Sequence, residues 1–190
     1  MTNIEFQDRF FSSGSYYDEI TKYPPEGYCS DRYFIQSEWE DISDIGKSYN
    51  GRVLSEQEYL SIEQQHVNVI IDLFNASGCR KLKMYYWPND NIIDPKKEWP
   101  LYEQNRQLIK EWMTRLRFRT YIGIEDIPTI ARLCLRQYGY VLLGNLKRGL
   151  YIRFGECMYI TFRSKLFTNQ LNSIAKNHHL YYNPRGRWYN

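Results

Sequence analysis

Residues 149–162, GLYIRFGECMYITF, constrain the fold more than any other stretch of this chain. Leu150, Ile152, Phe154, Met158, Ile160 and Phe162 all fall on even positions, the period of a strand buried on one face. Glu156, between Gly155 and Cys157, is the even position that breaks the pattern. One unbroken strand would be longer than most and would bury an isolated carboxylate at a heavy desolvation cost. A hairpin also keeps every even residue on one face. With Gly155–Cys157 as its loop, Phe154 faces Met158, Ile152 faces Ile160 and Leu150 faces Phe162. Glu156 then belongs at an exposed tip and is not a catalytic acid. YVLLG, residues 140–144, precedes this hairpin across the loop NLKRG, so the region reads as a three-stranded antiparallel meander.

Helical spacing dominates elsewhere. Ser55 and Glu58 form a capping-box pattern. Leu60, Val67, Ile70, Ile71 and Phe74 continue it as one apolar stripe, and Gly78 supplies the stop. RKLKMYYW, residues 80–87, reads as a strand, and so does DRYFIQSEW, residues 31–39. A turn is expected at Asn50-Gly51. Leu108, Ile109, Trp112, Met113 and Leu116 predict a second helix over 101–116. A third runs over 125–137 with Pro128 in its first turn, where proline is tolerated, and a fourth over about 166–177. Strands and helices in separate runs imply an α+β fold. We expect a single domain over 1–190, with an antiparallel sheet packed against several helices. About 1–30 form a loop-rich arm and about 180–190 an aromatic tail.

Three histidines, His66, His178 and His179, lack the three- or four-residue spacing of helical metal ligands. Glycine-rich phosphate loops and GxSxG are absent. No metal, no cofactor and no catalytic residue is expected. The opening MTNIEFQDRF has acids and no apolar run, so no signal peptide is expected there. No stretch approaches a membrane span. Cys29, Cys79, Cys134 and Cys157 are scattered without a CxxC pair, which suits reduced thiols in a bacterial cytoplasm.

Charge and aromatics carry what functional signal there is. Residues 1–100 hold ten Lys/Arg against seventeen Asp/Glu, and residues 101–190 hold fifteen against five. The two halves either neutralise one another on packing or present an acidic and a basic face. Rings are abundant, with 18 Tyr, 9 Phe and 5 Trp, and amphipathic rings suit contact surfaces. Glu38, Glu40, Asp41 and Asp44 surround Trp39, offering steering charges and one aromatic anchor to a protein partner. Tyr181, Tyr182, Arg185, Arg187, Trp188 and Tyr189 form a second, basic-aromatic surface. Bases could stack there while guanidinium groups meet phosphate, and RLRFR, residues 115–119, could extend it.

Two stretches resemble a known group. YNGRVLSEQEYLSIEQQHVNVIIDLFNASGCRKLKM, residues 49–84, resembles the first helix-and-strand unit of small bacterial immunity proteins of contact-dependent growth-inhibition and polymorphic toxin systems. LYIRFGECMYI, residues 150–160, resembles a later hairpin of the same group, although Glu156-Cys157 stand where Tyr-Asp is usual. The resemblance implies a non-enzymatic inhibitor that binds the cognate toxin C-terminal domain as a heterodimer, and nucleases are among the toxins such inhibitors block. The alternative is a nucleic-acid-binding module, or weak nuclease, that uses the basic C-terminal half.

Overall fold

A computed structural model describes residues 17–25, 38–86, 95, 97–117, 119–155 and 158–184. Its centre is an antiparallel sheet built from β1 (Asp18–Thr21), β4 (Leu82–Tyr86), β5 (Tyr121–Ile122), β6 (Val141–Asn145), β7 (Leu150–Phe154), β8 (Tyr159–Arg163) and β9 (Tyr181–Asn183). The order across it is β5-β4-β6-β7-β8-β1-β9. A separate two-stranded hairpin, β2 (Ser48–Tyr49) and β3 (Arg52–Val53), turns at Asn50-Gly51. Both turn residues have positive φ, +51° and +79°, which is the geometry that matches strand twist and favours this dipeptide.

Cross-strand partners share a face, so the register divides the sheet in two. One face carries Ile20, Leu82, Met84, Ile122, Leu143, Leu150, Ile152, Phe154, Ile160, Phe162 and Tyr182. These join α1 (Glu56–Ala76), α2 (Tyr102–Glu111), α3 (Ile127–Leu135) and α4 (Thr168–Asn177) in one continuous core. The other face carries Tyr85, Leu142 and Tyr151 as a small second cluster. Beside them runs a polar row in which Asn183 donates to buried Glu19 at 2.9 Å.

The meander forms as the alternation requires, with its turn one residue later than expected. Ile152 pairs with Phe162 and Phe154 with Ile160, and the Gly155 N–H closes onto the Tyr159 carbonyl at 2.9 Å. Met158 takes the left-handed conformation, φ +59°, as the last residue of a three-residue hairpin loop does. Moving the turn by one residue moves the pairing register by two, so every side chain keeps its face. Glu156 lies outside the described residues.

The Ser55 hydroxyl accepts from the Glu58 N–H at 3.1 Å, but the Glu58 carboxylate turns to Arg52 instead of closing the box. Gly78, at φ +63°, ends α1 where only glycine is unstrained. Beyond α2 the backbone widens into a π-helical turn, Trp112–Leu116. Trp112 and Leu116 stay buried while Met113 rotates outward. β1 falls within the loop-rich arm and β9 within the aromatic tail; the two pair with each other and β1 pairs with β8, so each region contributes a short strand to the sheet. The expected strand over 31–39 falls largely outside the described residues, and Glu38 and Trp39 at its end are irregular. Among the described residues, no helix is long and apolar enough to cross a membrane.

Candidate functional site

The acidic segment sits at the N-terminal end of α1. Asp41 caps the short turn Ile42–Asp44 by accepting from the Ser43 N–H at 2.6 Å. Asp44 reaches back to the Glu40 and Asp41 N–H groups at 2.7 and 3.2 Å and pairs with Lys47 at 2.9 Å. Burial pushes the Asp44 carboxyl up, but these donors outweigh it and hold the group below its ordinary range. Glu38 lies 3.7 Å from the Lys22 ammonium.

Trp39 is not an exposed anchor. It is 4% exposed, its ring lies 5.5 Å from Tyr59, and Lys22 sits 3.5 Å above its centroid. Burial lowers the Lys22 pKa to about 8 against the opposing pull of Glu38, Asp44, Glu58 and Glu40. The segment is fastened to β1 through this cation–π stack and through the Tyr23 hydroxyl, which donates to the Trp39 carbonyl at 3.0 Å. Glu40 alone of the five expected contact residues is exposed, and Glu38 and Asp41 are half-buried.

The second expected surface is only partly described. Tyr181 is exposed, whereas Tyr182 is buried and donates to Asp18 at 2.9 Å. Arg185, Arg187, Trp188 and Tyr189 lie outside the described residues. RLRFR does not present a free basic stripe. Arg115 and Arg119 both donate to fully buried Asp126, and Arg115 also donates to Glu111 at 2.6 Å.

One buried polar arrangement was invisible in the sequence. A cleft of about 570 Å³ opens between α1, α2 and α3, lined by Glu63, Gln64, Glu103, Glu111, Arg132 and Arg136 among others. At its floor Arg136 grips Glu63 with two bonds, 2.6 and 2.8 Å. It donates a third to Asn105 at 2.7 Å, and Asn105 in turn donates to the Tyr138 hydroxyl at 3.0 Å. Arg132 approaches Glu63 at 3.4 Å. Both carboxylate oxygens are thus occupied by guanidinium donors, which makes the group a tie between helices. Nothing in residues 63, 105 and 136 marks them as partners before folding, because they come from α1, α2 and the C-terminal cap of α3.

His66 is buried in α1, its ring nitrogens 2.8 Å from the Ile62 carbonyl and 2.9 Å from that of Met158. His178 instead contacts Asp72 at 2.8 Å. Among the described residues no group of His, Cys, Asp and Glu is arranged to hold a metal ion. Cys79 and Cys134 are free and buried.

Charge is sorted along α1, whose 21 residues span about 30 Å. Glu38, Glu40, Asp41, Asp44, Glu56 and Glu58 gather at its start with Lys22, Lys47 and Arg52. Past its end stand Arg80, Lys81, Lys147, Arg148 and Lys165, all exposed. No family model, no curated protein and no solved structure matches the chain.

Proposed function

We propose that this protein is a non-enzymatic immunity protein that binds a cognate toxin domain and blocks its active site or substrate path. The observation that carries the reading is the separation of charge in space. Carboxylates gather at the start of α1 and exposed cations stand past its end, drawn from both halves of the sequence, so among the described residues one small molecule has an acidic and a basic end. Such a field orients a complementary protein and accelerates its docking. The buried ionisable groups support a binding role. Glu63, Asp126 and Lys22 are each held by an oppositely charged side chain, and the buried His66 ring lies between two backbone carbonyls, one of which its single N–H can serve. The class of partner comes from the resemblance of residues 49–84 and 150–160 to immunity proteins.

The test is co-expression with the C-terminal domain encoded by the gene immediately upstream. Growth should be restored, and the two purified chains should form a heterodimer. Purified protein that degrades RNA or DNA on its own, or that fails to bind its neighbour's product, overturns the proposal.

A further inference from the structure

We propose that the basic end of the sheet is where the partner docks, with the β6–β7 turn as a plug for an acidic cleft. This rests on the reading of the protein as an inhibitor of another protein. Three loops converge there. The Asn145 amide donates to the Lys81 carbonyl at 2.8 Å, which ties the turn to the loop between α1 and β4. The Arg148 guanidinium lies against Gly78, about 3.6 Å from where a Cβ would stand. The Lys165 side chain, from the loop between β8 and α4, packs over Gly149. Arg80, Lys81, Lys147, Arg148 and Lys165 therefore share one surface. Among the described residues none of them has a carboxylate partner, unlike Arg115, Arg119, Arg132 and Arg136.

The turn is built to present side chains. The Asn145 side chain accepts from the Arg148 N–H at 3.1 Å, and the Gly149 N–H bonds to the Asn145 carbonyl at 2.8 Å. Backbone and Asn145 thus fix its shape, leaving Leu146, Lys147 and Arg148 exposed at the tip. Leu146 is 55% exposed and Phe167, two residues past Lys165, is 75% exposed. Apolar side chains ringed by cations suit a protein pocket lined with carboxylates, which desolvates the apolar groups and pairs the charges. A carboxylate-rich cleft of the kind that holds a divalent cation has that chemistry. Single-stranded nucleic acid fits less well. One face of the half-exposed Tyr121 ring is already taken by the Lys81 ammonium, 4.4 Å from its centroid. Phe167 is the other exposed ring here among the described residues, and Leu146 has no role on phosphate.

The experiment uses the full chain against two probes, the upstream-encoded toxin domain and an oligothymidylate of about 20 nucleotides. Lys147→Glu with Arg148→Glu should weaken toxin binding by about a hundredfold, and Leu146→Ser by about tenfold. Lys110→Glu, an exposed cation on α2, should change it less than about twofold. Circular dichroism should be unchanged in all three, since the turn's backbone bonds do not involve the side chains altered there and Lys110 is exposed on its helix. If wild type binds toxin and the double variant binds as well, the contact lies elsewhere and the inhibitor reading survives alone. Oligonucleotide binding at about 150 mM salt that disappears in the double variant reassigns the surface to nucleic acid. Absence of toxin binding by wild type removes both proposals.

Discussion

Arg136→Met tests whether the tie between helices stabilises the fold. The substitution keeps the aliphatic volume and deletes the guanidinium, leaving Glu63, 1% exposed, without its two strongest donors. Breaking a buried pair from one side costs about 3–5 kcal/mol. Arg132 remains 3.4 Å from the same carboxylate, so the lower end, about 3 kcal/mol, applies. Asn105 also loses a donor to its side-chain oxygen, adding about 1 kcal/mol. A total near 4 kcal/mol corresponds to a fall in Tm of about 8–16 °C for a chain of this size. Glu63→Leu combined with Arg136→Met removes both charges together and should cost only about 1–2 kcal/mol. Urea denaturation of wild type, both single variants and the double variant at neutral pH measures the coupling. A single variant within about 1 kcal/mol of wild type, or a double variant as unstable as the single, would refute the reasoning.

Trp39→Ala should lower stability by about 3–5 kcal/mol and leave partner affinity of the folded protein unchanged; a selective loss of affinity would return Trp39 to the interface. Burial lowers the His66 pKa to about 4 from 6.5, so the unfolded chain takes up this proton first as pH falls. Stability should therefore decline from about pH 6.5 towards pH 4 by at most about 3 kcal/mol, trimmed because the imidazolium can donate to both carbonyls. His66→Gln should flatten that slope in pH-dependent denaturation, and an unchanged slope refutes the assignment. Glu40→Lys with Asp41→Lys tells the two ends apart. With an acidic partner, association at low salt should be unchanged or faster by about twofold, whereas slower association in stopped-flow measurements would place the partner at the acidic end.

The candidate surfaces show where sequence reading stops. Residues 38–44 read as one exposed acidic patch because carboxylates usually face water. In the fold, Asp44 turns inward to satisfy two N–H groups and Lys47, and Trp39 goes under Lys22. Lys22 is separated from Trp39 by a stretch of chain that carries no pattern linking them. Arg115 and Arg119 likewise looked solvated until Asp126 came to meet them. Signals of period two or 3.6 were legible because they are local. Ion pairs across helices are not, since any arginine can serve any carboxylate until packing chooses.

The sequence by itself determined the elements that repeat a local rule. These are the alternating meander of β6, β7 and β8, the Ser55-capped helix ended by Gly78, the Asn50-Gly51 turn and the proline-started third helix. The α+β class follows from their order. Tertiary structure decided what has no local code. β1 and β9, four and three residues long, are strands only because β8 offers β1 an open edge and β1 then offers another to β9. Short segments gain too few bonds to hold an extended shape alone. The same holds for charge. Composition set an acidic half and a basic half, but folding drew Arg80 and Lys81 of the first half together with Lys147, Arg148 and Lys165 of the second, and α1, about 30 Å long, holds that cluster apart from the carboxylates at its start because a rigid helix keeps its two termini apart.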